Sequence, residues 1–209
     1  MNKNFADISS NNIPVNLGEY AKAGYPLIAI KLGGGLGDQW NSYPMFGPWW
    51  QAAKQANLAR WAYWYWRASN TATTGYDQAK QVEKLLAPYP QHKNDRIVLD
   101  FETMLTNPSH NVDQARQFLT TLKNDGHYPL LYASPGFLSS YNNPQFDVDL
   151  WIADYADSIW NPGGYNIAAW QHGTVQSGRA IGSPPFSASG IGLCDMSVIT
   201  NYGIRKHLR

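Results

Sequence analysis

The chain contains 209 residues, and its 16 Lys and Arg nearly balance its 15 Asp and Glu, so that its net charge is +1. This balance argues against a protein that binds nucleic acid, which would carry a basic surplus. No run of about 18 apolar residues occurs, so the sequence predicts no membrane-spanning helix and no insertion into a membrane. A closed α/β barrel of this size folds as one unit, and we expect a single domain over residues 1–209.

Aromatic residues make up 14% of the chain, including 9 Trp and 13 Tyr. The core of a protein of this size needs fewer aromatic residues, so we expect some of the rings on a solvent-exposed surface. There they can bind flat ligands with polar edges, such as sugars. The one cysteine, Cys194, cannot form an internal disulfide bond. The first ten residues, MNKNFADISS, contain no apolar segment of the kind found in signal peptides, so we expect a chain made in the cytoplasm without one.

Short apolar or β-branched segments alternate with helical patterns along the first two thirds of the chain, which predicts βα units and a mostly parallel sheet. Helices are predicted over Leu17–Ala23, Trp49–Leu58, Tyr76–Leu86 and Val112–Asp125, the last with Asn111 as its N-cap and Gly126 as its stop. The fold class is therefore α/β, an irregular TIM-like (β/α) barrel with fewer helices than strands. Eight strands are predicted, near Phe5–Ile8, Leu27–Leu32, Arg60–Trp66, Arg96–Phe101, Pro129–Ala133, Leu150–Ala153, Ile167–Gln171 and Gly192–Met196.

Two long connections, Gly33–Pro48 and His172–Gly190, are rich in Gly, Pro and aromatic residues. Long loops without secondary structure in a compact domain are usually functional, so both are candidate walls of a substrate groove. The glycine cluster within the first connection lacks the sequence of a phosphate-binding loop. We therefore interpret it as a flexible or tightly turning loop.

The segment Ile97–Glu102 is the most informative for chemistry. Side chains alternate along a strand, so Asp100 and Glu102 share the face opposite Ile97, Leu99 and Phe101. The two carboxylates would project inward at the strand's C-terminal end, where barrel enzymes place their active sites, with Cα atoms roughly 6.6 Å apart. Mutual repulsion and burial would raise one pKa, as glycoside hydrolysis requires of its proton donor. An aspartate and a glutamate at this spacing, taken alone, also occur at ordinary strand ends, where the carboxylates cap the following turn.

Two further aspartates favour the functional interpretation. Asp7 and Asp195 each interrupt an apolar segment, in the first and in the last predicted strand, and these strands are neighbours in a closed barrel. Four carboxylates at one end of a barrel repel one another and lower the stability of the fold. Proteins usually keep such a cluster only where function requires it.

The order of several motifs resembles the family-25 glycoside hydrolases, lysozymes that include phage endolysins. The motifs span nearly the whole chain and read ADISSNN, AYWYWRA, VLDFE, PLLYASPGF, LWIADYA, AWQHG and GLCDMSVI. The resemblance implies a barrel of eight strands and about five helices. It also implies hydrolysis of the β-1,4 bond between N-acetylmuramic acid and N-acetylglucosamine in peptidoglycan, by a phage-type endolysin or a bacterial autolysin-like catalytic domain that acts on the bacterial cell wall.

The resemblance assigns roles position by position. Glu102 matches the general acid, Asp100 would assist the substrate's 2-acetamido group or stabilise charge at the anomeric carbon, and Asp7 and Asp195 would complete an acidic floor. The backbone spacing of the two carboxylates fits both a retaining and an inverting outcome. The matched candidates for substrate binding are Tyr63, Tyr65, Tyr132, Trp151 and Gln171, although aromatic residues in barrel strands are more often core filling.

The chain departs from the family pattern at three places. Trp64 stands where a histidine is common, Lys31-Leu32-Gly33-Gly34-Gly35 replaces a Lys-Ala-Thr-Glu-Gly-like segment, and Asp154 stands where His or Gly is common, which implies different subsites.

Other classes of function are less well supported. The five histidines and Cys194 show no spacing of metal ligands, so we expect no metal and no cofactor. The expected partner is the glycan of bacterial peptidoglycan, bound by a monomer. Two alternatives stay open: another barrel glycosidase, chitinase-like, which analysis of the reducing ends would distinguish, and a non-catalytic carbohydrate-binding barrel, against which the presence of Glu102 argues.

Overall fold

The computed structural model describes residues 3–36, 39–67, 74–103, 108–161, 163–176 and 179–208. The helices in this part of the chain are α1 Leu17–Lys22, α2 Phe46–Gln55, α3 Gly75–Leu86, α4 Pro108–Asn124, α5 Pro135–Ser140 and α6 Asn201–His207. The strands are β1 Asn4–Ile8, β2 Leu27–Leu36, β3 Gln39–Ser42, β4 Ala59–Tyr65, β5 Arg96–Asp100, β6 Pro129–Ala133, β7 Asp149–Ala153, β8 Ile167–Gln176, β9 Arg179–Gly182, β10 Ser187–Ala188, β11 Gly192–Leu193 and β12 Asp195–Ile199. No helix among the described residues is long and apolar enough to cross a membrane.

Eight strands close into a barrel, which confirms the predicted fold class. The order around the barrel is β1, β12, β8, β7, β6, β5, β4 and β2, and pairing of β2 with β1 closes it. Six of the eight pairings are parallel, while β12 runs antiparallel to both of its neighbours, β1 and β8. The start of β12 therefore lies at the same end of the barrel as the ends of the other seven strands.

The alternation of side chains separates two apolar clusters. Along β5, Val98 packs inside the barrel, whereas Ile97, Leu99 and Phe101 pack outside against the helices, as the sequence pattern predicts. The inner cluster is rich in aromatic rings: Phe5, Trp61 and Trp151 pack with centroids 5.3 to 5.7 Å apart. These rings fill the barrel interior below the mouth, which leaves space inside the barrel above them, at the strands' C-terminal end.

The two long connections are hairpins, contrary to the prediction of structureless loops. β2 continues through Gly33–Leu36 and pairs antiparallel with β3, and β8 continues to Gln176 and pairs with β9. Residues 37, 38, 177 and 178 within these connections lie outside the described residues. Backbone pairing with a neighbouring strand supplies the order that the glycine-rich composition does not predict.

The predicted N-cap of α4 is also wrong. The helix begins at Pro108, so Asn111 lies within it and is fully buried. The Asn111 Oδ1 accepts a hydrogen bond from Trp66 Nε1 (2.8 Å), while Nδ2 donates to the Thr103 carbonyl (3.1 Å) and the Tyr141 hydroxyl (2.9 Å). Asn111 thereby links α4 and α5 to the segment that follows β5, next to Glu102. α5 and α6 were not predicted, because each is short and its neighbours supply most of its stability.

Candidate active site

A cavity of about 370 Å³ opens at the C-terminal end of the parallel strands. All nine residues singled out from the sequence line it, namely Asp7, Tyr63, Tyr65, Asp100, Glu102, Tyr132, Trp151, Gln171 and Asp195. Four residues that sequence reasoning missed complete the lining: Lys31, Arg67, Tyr155 and Thr174. The barrel thus brings the predicted site residues together, drawn from seven of its strands or the segments that follow them.

The four carboxylates reach this cavity in two ways. Asp7 lies near the end of β1, Asp100 is the last residue of β5, and Glu102 follows two residues later. Asp195 is instead the first residue of β12, so the reversed direction of that strand brings it to the mouth. The sequence predicted Asp195 near the end of a strand in a mostly parallel sheet, and the structure corrects this placement.

Asp100 is the most deeply buried of the four, with 8% of the residue exposed. Its Oδ1 is buried and has no hydrogen-bond partner among the described residues. Burial and the neighbouring Glu102 carboxylate raise the pKa of Asp100 well above its usual range, an effect that Lys31 partly offsets. A buried carboxyl oxygen without a protein partner is suited to a hydrogen bond with a ligand.

Glu102 is more open to solvent at the mouth of the cavity. Partial burial raises its pKa, Lys31 opposes this shift, and Asp195 adds to it. A carboxyl group with a raised pKa stays protonated at higher pH than an ordinary glutamate and so can donate a proton to a leaving group.

Gln171 organises the hydrogen bonds on the opposite side of the cavity. Its Oε1 accepts hydrogen bonds from the hydroxyls of Tyr132 (2.8 Å) and Tyr155 (2.7 Å), and its Nε2 donates to Asp7 Oδ2 (2.9 Å). In this orientation the amide N–H group faces Asp7 and its oxygen faces the two tyrosine hydroxyls. Burial and repulsion from Asp195 raise the pKa of Asp7 well above its usual range, and the bond from Gln171 partly opposes this.

The predicted aromatic residues differ in how far they reach the cavity. Trp151 is 2% exposed, and its indole Nε1 donates to Ser197 Oγ (3.0 Å), while Tyr63 donates to the Ile8 carbonyl (3.3 Å). Both belong mainly to the inner core. Tyr65 and Tyr132 are only partly buried and present more surface to a ligand.

Two cations stand at the edge of the cavity beside Tyr65. The Lys31 ammonium lies 4.9 Å from the centroid of the Tyr65 ring and 5.9 Å from that of Tyr63, and the Arg67 guanidinium carbon lies 5.1 Å from the Tyr65 centroid. Lys31 follows the inward-facing Leu27 and Ala29 at spacing two, so the alternation along β2 could have revealed it. Arg67, Tyr155 and Thr174 lie beyond the predicted strand ends, where alternation carries no information.

Trp64, one of the departures from the family pattern, does not line the cavity. It is buried on the outer face of β4, where its Nε1 donates to Gln78 Oε1 of α3 (2.9 Å). The described residues contain no group of three or more His, Cys, Asp or Glu placed to hold a metal ion.

A closed barrel with acidic side chains around one mouth is an arrangement typical of glycoside hydrolases. The family model for glycosyl hydrolases family 25 matches residues 6–180. This chain therefore belongs to family 25, and it is a glycoside hydrolase.

Solved structures share the fold at low sequence identity. The bacterial lysozyme from Streptomyces coelicolor is 17% identical, with a TM-score of 0.76 over 98% of this chain and 95% of that chain. A muramidase from Trichobolus zukalii is 20% identical, with a TM-score of 0.74 over 95% and 93%. The modular autolysin LytC from Streptococcus pneumoniae, in complex with a synthetic peptidoglycan ligand, is 18% identical, with a TM-score of 0.75 over 94% and 46%. A comparison with curated proteins gave no match.

Proposed function

We propose that this glycoside hydrolase is a muramidase that cleaves the β-1,4 bond between N-acetylmuramic acid and N-acetylglucosamine in peptidoglycan. The observation that carries the proposal is the pair formed by Asp100 and Glu102 in one acidic cavity, with a raised pKa at Glu102 and an unpartnered buried oxygen on Asp100. Family membership and the lysozyme fold support peptidoglycan as the substrate.

Glu102 acts as the general acid. Its carboxyl proton passes to the glycosidic oxygen as the bond between that oxygen and the anomeric carbon breaks, so that the departing sugar leaves as an alcohol. The resulting carboxylate then accepts a proton from the water molecule that adds to the anomeric carbon. The enzyme returns to its starting protonation state, and a new reducing end is formed.

Asp100 assists the 2-acetamido group of the sugar whose anomeric carbon reacts. Its unpartnered Oδ1 accepts the acetamido N–H, which orients the amide carbonyl towards the anomeric carbon and stabilises the positive charge that develops there. Asp7 and Asp195 add negative potential on the other side of the cavity, and Gln171 holds Asp7 in place. The four carboxylates together favour a cationic transition state.

We also propose a biological role, the lysis of bacterial cells. In this role the protein is a phage-type endolysin or a bacterial autolysin that is made in the cytoplasm and acts on the cell wall. Lysis of intact cells by the purified protein, compared with an inactive variant, tests this role directly.

The test of the activity compares wild type with Glu102→Gln on purified peptidoglycan, followed by mass analysis of the fragments. Gln keeps the shape of the side chain but carries no acidic proton, so the rate should fall by about a hundredfold or more. Glu19→Gln, an exposed substitution of the same kind on α1, is the matched control and should keep wild-type activity.

The products decide between the candidate functions. Muramic acid at the new reducing ends supports the muramidase proposal, and the anomer first released distinguishes retention, expected for attack by the acetamido group, from inversion. N-acetylglucosamine at those ends would indicate a different specificity. Binding of the glycan without cleavage would contradict the proposal and favour a carbohydrate-binding protein, and full activity of Glu102→Gln would mean that another residue is the acid.

A further inference from the structure

A second cavity, of about 330 Å³, adjoins the acidic one. It lies between the hairpin of β2 and β3 and the end of β4, and it shares three lining residues with the acidic cavity: Lys31, Tyr65 and Arg67. A ligand that fills the acidic cavity and extends past Tyr65 therefore enters the second cavity directly. The three shared residues form the boundary between the two cavities.

The two cations at this boundary lie against one aromatic ring and form no close ion pair with a described residue. Both stand within 5.1 Å of the centroid of the Tyr65 ring, a distance at which the ring face attracts a cation. Neither forms an ion pair or a hydrogen bond with another described residue, although the chain forms several ion pairs elsewhere. The Tyr65 hydroxyl in turn accepts a hydrogen bond from Thr103 (3.4 Å), which restrains the ring.

The other described residues that line the second cavity carry no charge. Apart from Lys31, β2 contributes only Gly33, Gly34 and Gly35, and the end of β3 with the turn after it contributes Ser42, Tyr43 and Pro44. A side chain at position 34 is excluded, because a Cβ atom there would lie 2.8 Å from the Tyr65 carbonyl oxygen. Among the described residues, four carboxyl groups line the acidic cavity and none lines the second, so the charged side chains change from mainly acidic to basic across Tyr65.

This change of sign matches a substrate with two chemically different parts. The sugar rings of peptidoglycan are uncharged and undergo reaction through a cationic transition state, which suits the acidic cavity. The lactyl ether of N-acetylmuramic acid carries a carboxyl group, either free or extended by a stem peptide with carboxylates of its own. Arginine and lysine are the side chains suited to binding such groups, and arginine can bind them through two parallel hydrogen bonds.

We propose that the second cavity is a carboxylate-binding subsite, in which Arg67 and Lys31 bind the carboxylate that the substrate carries on its lactyl side. This inference rests on the proposed muramidase function, because the subsite would bind one part of the same substrate. It makes Arg67 a specificity residue that favours N-acetylmuramic acid over uncharged sugars, without a part in the proton transfer.

The test uses Arg67→Gln, because Lys31 also influences the pKa values of Asp100 and Glu102. Three soluble substrates are compared by steady-state kinetics: glycan strands with stem peptides, strands stripped of peptide by an amidase, and stripped strands whose lactyl carboxyl is a methyl ester. We expect kcat/KM to fall about tenfold on a substrate that carries the recognised carboxylate, mainly through KM, and to stay unchanged on the methyl ester.

Two further variants control the experiment. Arg116→Gln removes the same charge from another arginine that lies over an aromatic ring, 5.7 Å from the Phe146 centroid and outside both cavities, and should leave all three rates unchanged. Arg67→Lys keeps the charge and should recover part of the loss. If Arg67→Gln fails to fold, as judged by circular dichroism, Arg67→Lys and the salt dependence of the wild-type preference for carboxylated strands provide the same comparison.

The outcomes separate the subsite from the reaction itself. A loss confined to strands with stem peptides identifies a peptide carboxylate as the ligand, a loss confined to stripped strands identifies the free lactyl carboxylate, and a loss on both shows that the subsite accepts either carboxylate. An equal loss on all three substrates, or no loss on any, overturns the subsite while the muramidase activity stands. Absence of cleavage by the wild type on every substrate would contradict the proposed function instead.

Discussion

Asp7 and Asp195 lie directly opposite each other in the antiparallel pair of β1 and β12. Like charges in this position destabilise a sheet, and repulsion from Asp195 is one reason that the pKa of Asp7 is raised. Thr174 donates a hydrogen bond to Asp195 and Gln171 donates one to Asp7, so each carboxylate is held by a separate neighbour from β8. The pair therefore lowers the stability of the barrel mouth while it concentrates negative charge there.

Asp7→Asn should stabilise the protein at neutral pH. Because the pKa of Asp7 is raised in the folded state, the wild type loses stability as the pH rises above 3.8, the usual pKa of an unperturbed aspartate. Asn does not ionise and still accepts the hydrogen bond from Gln171. Each kcal/mol gained should raise the Tm by about 2–4 °C.

Thermal unfolding at several pH values checks this prediction. The Tm values of the two proteins should converge below pH 3.8, where Asp7 is protonated in both the folded and the unfolded state, and should diverge as the pH rises. A variant that is less stable than the wild type at pH 7 would contradict it. We also expect the variant to lose activity, since stability and function compete at such a site.

Lys31→Met should move the pH profile of hydrolysis to higher pH. Lys31 lowers the pKa values of Asp100 and Glu102, so both rise when the cation is removed. The two limbs of the profile, which reflect the ionisation of the coupled pair Asp100 and Glu102, should both shift upward. The measurement is kcat/KM against pH on the methyl-ester substrate, which has no carboxylate for Lys31 to bind. Lys22→Met, on the exposed end of α1, is the control, and a shift to lower pH would refute the prediction.

Asp95→Ala should be among the most destabilising substitutions in the chain. The Arg60 guanidinium stacks 4.3 Å above the Trp50 ring and donates to both oxygens of Asp95, and the two charged residues are buried. Removing one partner leaves a buried charge without compensation, at a cost of about 3–5 kcal/mol. Urea unfolding measures this cost.

The double variant Arg60→Met/Asp95→Leu tests the reason for that cost. It removes both charges and should recover much of the lost stability. If the free energy of unfolding of the double variant is no higher than that of Asp95→Ala, then the loss of stability comes from packing and not from the unpaired charge.

His207 should make the attachment of α6 sensitive to pH. Its Nδ1 accepts a hydrogen bond from Arg96 (2.8 Å) and its Nε2 contacts Asp149 Oδ2 (3.0 Å), at the end of the barrel opposite the acidic cavity. Burial lowers the pKa of His207, so its contribution to stability is complete above pH 6.5, the usual pKa of a histidine, and declines as the pH falls below it. The pKa of Asp149 is also lowered, and this changes the stability only below pH 3.8, the usual pKa of an aspartate.

The comparison with His207→Gln isolates this effect. The variant does not titrate at this position, so the Tm advantage of the wild type at pH 7.5 should shrink as the pH falls towards 5. A Tm difference that does not change with pH would show that His207 is not the group responsible.

Much of the site was predictable because strand periodicity is local. The alternation in Ile97–Glu102 correctly separates inward from outward side chains, and all nine predicted residues line one cavity. The pattern could not reveal the hairpins at the mouth, since the glycine-rich end of β2 is ordered by pairing with β3 and β4 and not by its own composition. Asn111 likewise looked like a cap, because two of its three partners, Trp66 and Tyr141, are distant in sequence.

The sequence by itself determined the class of fold and the identity of the acidic residues, since both depend on periodicity and on which residue types interrupt apolar segments. Only the tertiary structure decided that β12 runs against its neighbours and so brings Asp195 opposite Asp7. It also decided that Lys31 and Arg67 meet on one ring of Tyr65. Strand direction and the meeting of distant side chains depend on how the whole barrel closes, which no local pattern encodes.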